Sequence, residues 1–132
     1  LEQWELILWR GAVNSAIRGS RGQALLREMA AALDAMPNKR LISDELVTEA
    51  GEVCALGAVA VARGTSTAGL DPHDSSAIAK TFGIARALAC EIAYINDQDD
   101  WHRHDTPEQR WHRVRAWIES KLRRARGEET PA

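Results

Sequence analysis

The apolar residues of the first third of the chain recur at intervals of three and four. Leu6, Trp9, Val13, Ala16 and Ile17 form one such stripe, and Leu26, Met29, Ala30 and Leu33 form a second. This is the period of an amphipathic helix and not the alternation of a half-buried strand. The spacing predicts helices over 3–18 and about 23–36, the second with Arg27, Glu28 and Asp34 outward. Gly19 ends the first, and Pro37 with Asn38 stops the second by excluding helical geometry at the preceding residue.

The following stretch, "RLISDELVTEAGEV", reads equally well as a short β-hairpin closed near Gly51 or as a helix capped by Ser43. An apolar run, "VCALGAVAVA", continues as a helix to Arg63, since its alanines favour helix and its valines oppose it only mildly. "RGTSTAGLDPHDSS" is a loop by composition, and residues 75–95 are so apolar that the segment belongs at the centre of the core. "DTPEQRW" is a strong helix start: Thr106 as N-cap, Pro107 at the first helical position, Gln109 closing a capping box, then Trp111, Val114, Ile118 and Leu122 inward. The expected fold class is mainly α. It is a single domain of about five helices over residues 1–126, with one small β-hairpin at 39–53 as an open reading and a flexible tail over 127–132.

A chain of 132 residues is the size of one core. Its formal net charge of −2 gives no overall attraction to nucleic acid or anionic lipid, so any such affinity must come from local asymmetry. The ten-residue apolar run is about half the length a helix needs to span a bilayer, and no signal-peptide succession opens the chain. Cys54 and Cys90 sit in apolar sequence without a second ligand at metal spacing, which reads as reduced core cysteines in a cytoplasmic protein with no cofactor or metal.

Four features invite a functional reading. In "RGSRGQ", Arg18 and Arg21 are interleaved with Gly19 and Gly22 ahead of Gln23 and a helix, which supplies the ingredients of an anion pocket; a plain turn between helices is the commoner use of such residues. "SSAIAKTFGIARALACEI" has helix-turn-helix rhythm, yet offers essentially Arg86 and Glu91 to a base edge, so core packing is favoured over DNA reading. "NDQDDWHRHD" invites a metal, but His102 stands where a calcium loop needs glycine, and a zinc site of His102, His104 and His112 has nothing to fix its geometry; a solvated acidic loop is the better account. Finally, Arg110, Arg113, Arg115, Lys121, Arg123, Arg124 and Arg126 crowd the last helix against only Glu108 and Glu119. This basic face suits nucleic acid or an acidic partner, or it neutralises the acidic segment 91–105.

Five tryptophans against one Phe and one Tyr is an unusual balance. Trp4, Trp9, Trp111 and Trp117 place the surplus on the two terminal helices, which then either pack together or display an aromatic pair; Trp101, in a polar loop, is the best single contact candidate. The candidate anion- or partner-binding set is therefore Arg18, Arg21, Gly22, Gln23, Trp101, Arg110, Arg113, Lys121 and Arg124.

No nucleophile with a nearby base is recognisable, which favours binding over catalysis. The blocks "SAIRGSRGQALLREMAAALDAMPNKRLI", "GEVCALGAVAVARG", "FGIARALACEIAYIND" and "TPEQRWHRVRAWIE" resemble a group of small proteins of tailed phages and prophages. The resemblance spans roughly residues 9–119 and assigns no residue a role. It implies a phage product made in a bacterial cytoplasm, expected to bind a host or defence protein. The alternatives are a binder of a nucleotide or nucleic acid, and an oligomeric virion or assembly component.

Overall fold

A computed structural model describes residues 3–98 and 104–123. Six helices follow in order: α1 (Gln3–Arg18), α2 (Ser20–Ala35), α3 (Ala55–Arg63), α4 (Ser75–Phe82), α5 (Arg86–Asp97) and α6 (Pro107–Lys121). The protein is mainly helical, and the six helices close around one core. α2 lies against α1, α3 and α6, while α5 lies against α1, α3, α4 and α6. These two helices are the hub: α2 contributes Leu25, Leu26, Met29 and Leu33 and α5 contributes Leu88 and Ile92 to the fully buried centre.

The count exceeds five because the segment 75–95 is two helices. Gly83, at φ 73°, adopts the left-handed conformation that glycine takes without penalty, and it caps α4 through its N–H to Ala79. The junction of α1 and α2 is tighter than the spacing predicts. Gly19 alone separates them, in an extended conformation at φ −67° and ψ 160°, and α2 starts at Ser20 instead of near Gln23. Gly22 permits that closeness: a Cβ there would lie 2.0 Å from the Ala16 carbonyl oxygen.

Segment 39–53 is neither a full hairpin nor a helix. A single antiparallel bridge joins Val47 to Val53, closed by Thr48 N–H to the Glu52 carbonyl (2.9 Å) and by Gly51 at φ 85°. No extended strand occurs among the described residues. The capping box of α6 is present as expected, with Thr106 Oγ1 accepting from Gln109 N–H (3.1 Å) and Gln109 Oε1 accepting from Thr106 N–H (2.9 Å). α3 is capped by a thiol: Cys54 Sγ accepts from Gly57 N–H at 3.4 Å.

The stripe expected on α1 is only half buried. Val13 and Ile17 reach the core, Trp9 and Ala16 pack partly against it, and Leu6 remains 45% exposed, as Trp4, Ile7 and Leu8 of the same first turns are exposed too. Likewise the two tryptophan-bearing helices meet α2 and α5: Trp111 is buried and donates Nε1–H to the Leu33 carbonyl (3.3 Å), whereas Trp4 is 66% exposed. No helix of the described residues is long and apolar enough to cross a membrane.

Candidate binding surfaces

The basic helix is the first candidate surface, and most of its arginines turn inward. Arg110 is 8% exposed; its guanidinium donates to the carbonyls of Asn96 (3.0 Å) and Leu41 (3.3 Å). Arg113 binds Asp105 at 2.6 Å and donates to the carbonyls of Ile95, Asn96 and Gln98. Together they cap the C-terminus of α5, where unpaired carbonyls and the helix dipole favour cations. Of the two readings of the basic helix, a face for a partner or a counterpart to the acidic segment 91–105, these two arginines take the second: both turn to the end of α5 inside that segment.

Arg115 forks onto Asp34 at 2.8 and 3.0 Å and holds Glu119 at 3.0 Å. The Arg115 hydrogen bonds hold the Asp34 carboxyl below its ordinary value, and on α3 Arg63 does the same to Glu28. Internal bonding therefore accounts for all three, through backbone carbonyls alone for Arg110 and through carboxylates for Arg113 and Arg115. Lys121 is half-buried and Arg123 exposed, while Arg124 and Arg126 lie outside the described residues, as does Trp101.

The "RGSRGQ" cluster is divided by the fold. Gln23 is buried and structural: Nε2 donates to the carbonyls of Ile17 (2.8 Å) and Lys121 (3.0 Å), and Oε1 accepts from Arg123 N–H (2.8 Å). It therefore joins the end of α6 to the α1–α2 corner. Gly22 is buried in helix contact. Arg18 and Arg21 are exposed, and only Arg21 lines the recess at this corner. That recess, of about 420 Å³, is walled by small residues, Ala12, Ser15, Ala16, Gly19 and Ala85 among them, and the N-termini of α2 and α5 both border it.

A larger groove of about 440 Å³ lies between the end of α2, α3 and the 40–53 segment. Its lining includes Ala32, Met36, Ile42, Val53 and Val61, with Arg40 and Glu52 as charged neighbours, and Val61 is 59% exposed. Sequence reasoning missed this groove. Its lining comes from four separate segments, and the one available signal was Val61, a valine left over from the inward stripe of α3.

Both cysteines border a third, smaller recess of about 210 Å³ between α5 and the 44–46 loop. Both are free thiols; Cys54 is buried, and burial pushes its pKa up to about 11, while Cys90 is half-buried. Among the described residues no three His, Cys, Asp or Glu side chains are grouped to hold a metal, and His102 lies outside them. The turn between α4 and α5 does have helix-turn-helix form, but α5 is packed among α1, α3 and α6, and Glu91 is buried in an ion pair with Arg10 at 3.2 Å. Compared with known proteins, the chain matches no family model, no curated protein and no solved structure.

Proposed function

We propose that this chain is a phage-encoded accessory protein that acts by binding a host or defence protein in the bacterial cytoplasm, taking an apolar segment of that partner into the groove between α2 and α3. The observation that supports this reading is the groove itself: about 440 Å³, open, predominantly apolar, and rimmed by an exposed Val61. A concave apolar surface with a few polar groups is the usual form of a binding site. The internal use of Arg110, Arg113 and Arg115 lowers the share of the basic helix left for nucleic acid.

The test is capture from host lysate with and without nuclease, comparing the wild type with Val61→Glu. A stoichiometric protein that survives nuclease and is lost with Val61→Glu is the expected result. Nuclease-sensitive retention, or capture indifferent to Val61→Glu, would overturn the reading.

A second reading is a phosphate-bearing ligand at the α1–α2 corner. It is favoured by one observation, the meeting of two helix N-termini and Arg21 at a single recess. Here inorganic phosphate or a nucleotide should raise the melting temperature with occupancy, and Arg21→Ala should abolish the shift. Binding of a polymer would instead weaken log-linearly with salt.

A further inference from the structure

The N-terminal half of α1 displays Trp4, Ile7 and Leu8 at 66%, 54% and 57% exposure. Trp4 and Leu8 precede the buried Val13 and Ile17 by nine positions each, which is two and a half turns at 3.6 residues per turn, so they stand on the face turned away from the core. The same face continues through Gly11, Ala12, Ser15 and Gly19, all exposed, and a Cβ built on Gly11 would meet nothing within 4 Å. One helix face is thus bulky in its first half and shallow in its second.

We infer that this face binds a second copy of the same chain, α1 against α1 in antiparallel pairing about a two-fold axis between Gly11 and Ala12, with Trp4 of each copy seated in the recess at the α1–α2 corner of the other. That axis fixes the register. Trp4 and Gly19 are equally far from the point between Gly11 and Ala12, each about 11 Å at 1.5 Å per residue. Leu8 and Ser15 are equally far from it as well, so one rotation sets Trp4 over Gly19 and Leu8 over Ser15 twice. The recess at Gly19 has about 420 Å³, and a cavity of about 150 Å³ already takes a benzene ring.

Charge agrees with the same register. Glu5 lies on the flank of the stripe shared by Ala12 and Ala16, which are two walls of the recess, and Arg21 is its cationic lining. In the pair each Glu5 approaches the Arg21 of the other copy, and neither side chain has an ion pair among the described residues. Antiparallel pairing is isologous: the same patch serves both copies, so assembly closes at two. An unrelated partner would need to reproduce this match; a second copy meets it by symmetry. The surface is separate from the α2–α3 groove, so this inference stands or falls independently of the proposed function. It places an indole where the phosphate reading places an anion.

Light scattering after size exclusion, over about 1–100 μM, tests the pairing on the whole chain. The wild type is expected at twice 14.6 kDa at the upper end, with Val61→Glu unchanged. Leu8→Glu, at an exposed position, is expected to weaken the dimer by about two orders of magnitude, since the contact is lost twice. The decisive comparison is between double variants: Leu8→Glu with Ser15→Lys should dimerise at least about tenfold more tightly than Leu8→Lys with Ser15→Lys, because only antiparallel register opposes residues 8 and 15. A monomer throughout the range, a larger assembly, a dimer indifferent to Leu8→Glu, or equal behaviour of the two double variants would each overturn the inference.

Discussion

Arg110 and Asn96 meet inside the protein: the guanidinium Nε–H of Arg110 donates to the Asn96 carbonyl at 3.0 Å, and the side chain of Asn96 continues the chain of bonds outward. Its Oδ1 accepts from Ala55 N–H (3.0 Å), and its Nδ2 donates to the carbonyl of Ile42 (2.9 Å) and to Asp97 Oδ1 (2.9 Å). The otherwise irregular 39–54 segment is therefore held in part by these two side chains, one from the end of α5 and one from the start of α6, beside Asp97 Oδ1, which accepts from Asp44 N–H (3.2 Å), and the Pro107 carbonyl, which accepts from Leu41 N–H (3.0 Å). With that segment in place, the groove beside α3 has its floor.

Removing either residue should be costly, because buried backbone groups lose partners that water cannot replace. Asn96→Ala leaves Ala55 N–H and the Ile42 carbonyl unpaired and is expected to destabilise by about 2–3 kcal/mol. Arg110→Ala should cost about 2–4 kcal/mol through the Asn96 and Leu41 carbonyls. Urea unfolding monitored by circular dichroism checks both, with an unchanged m-value confirming that stability alone has moved.

Two glycines are required by contact rather than by conformation. A Cβ at Gly57 would lie 1.8 Å from the Leu46 carbonyl oxygen, and at Gly22 2.0 Å from that of Ala16. Both opposing atoms are backbone, so neither can swing aside. Gly57→Ala and Gly22→Ala are each expected to lower stability by at least about 2 kcal/mol, although alanine is intrinsically the better helix former by about 1 kcal/mol. Thermal melts of the two variants test this; a gain in either would show that the backbone yields there.

The two cysteines should differ in reactivity. At pH 8 an aromatic disulfide reagent is expected to modify Cys90 first and Cys54 only on unfolding, since Cys54 is buried and its thiolate disfavoured. The alkaline stability follows with a definite sign. The folded pKa of Cys54 is raised from 9.0 to about 11, so its contribution is fully present below pH 9 and is lost as pH rises toward 11. Cys54→Ala should flatten that limb of the stability–pH curve.

At low pH the opposite sign holds. Arg63 lowers the pKa of Glu28 and Arg115 that of Asp34, so each carboxylate stabilises the fold above its ordinary value, 4.5 for Glu and 3.8 for Asp, and loses that contribution as pH falls through the depressed folded pKa. Both pairs are partly solvated, which limits each to about 0–1 kcal/mol. Asp34→Asn should reduce the acid dependence of stability measured from pH 6 downward by an amount of that size, and added salt should narrow the difference from wild type.

Helical class was legible wherever short-range chemistry decided it. The stripe of α2, the capping box at Thr106, the stop at Pro37 and the end of α3 at Arg63 are local, each set by residues within a turn of one another. The break at Gly83 was present as a helix-turn-helix rhythm, but its consequence, two helices in place of one, depends on a positive φ that glycine permits without compelling. Segment 39–53 was illegible because its anchors, Asn96 and Arg110, lie more than forty residues away on the chain.

The candidate site was harder to read than the fold, for a reason visible in Gln23 and Arg21. Both belong to the same short stretch, "RGSRGQ", yet one is buried and tied to three backbone groups while the other is exposed at a recess. Their separation arises from where α6 ends. Sequence by itself determined that this chain makes amphipathic helices, that Thr106 starts the last of them, and that the arginines of that helix have acidic residues available to neutralise them. Tertiary structure alone decided which arginines the C-terminus of α5 would take, which tryptophan would stay in water, and where apolar residues from α2, α3 and the 40–53 segment would meet as a groove. Helix formation and capping act between neighbours, whereas burial is settled only when elements distant in sequence compete for the same space.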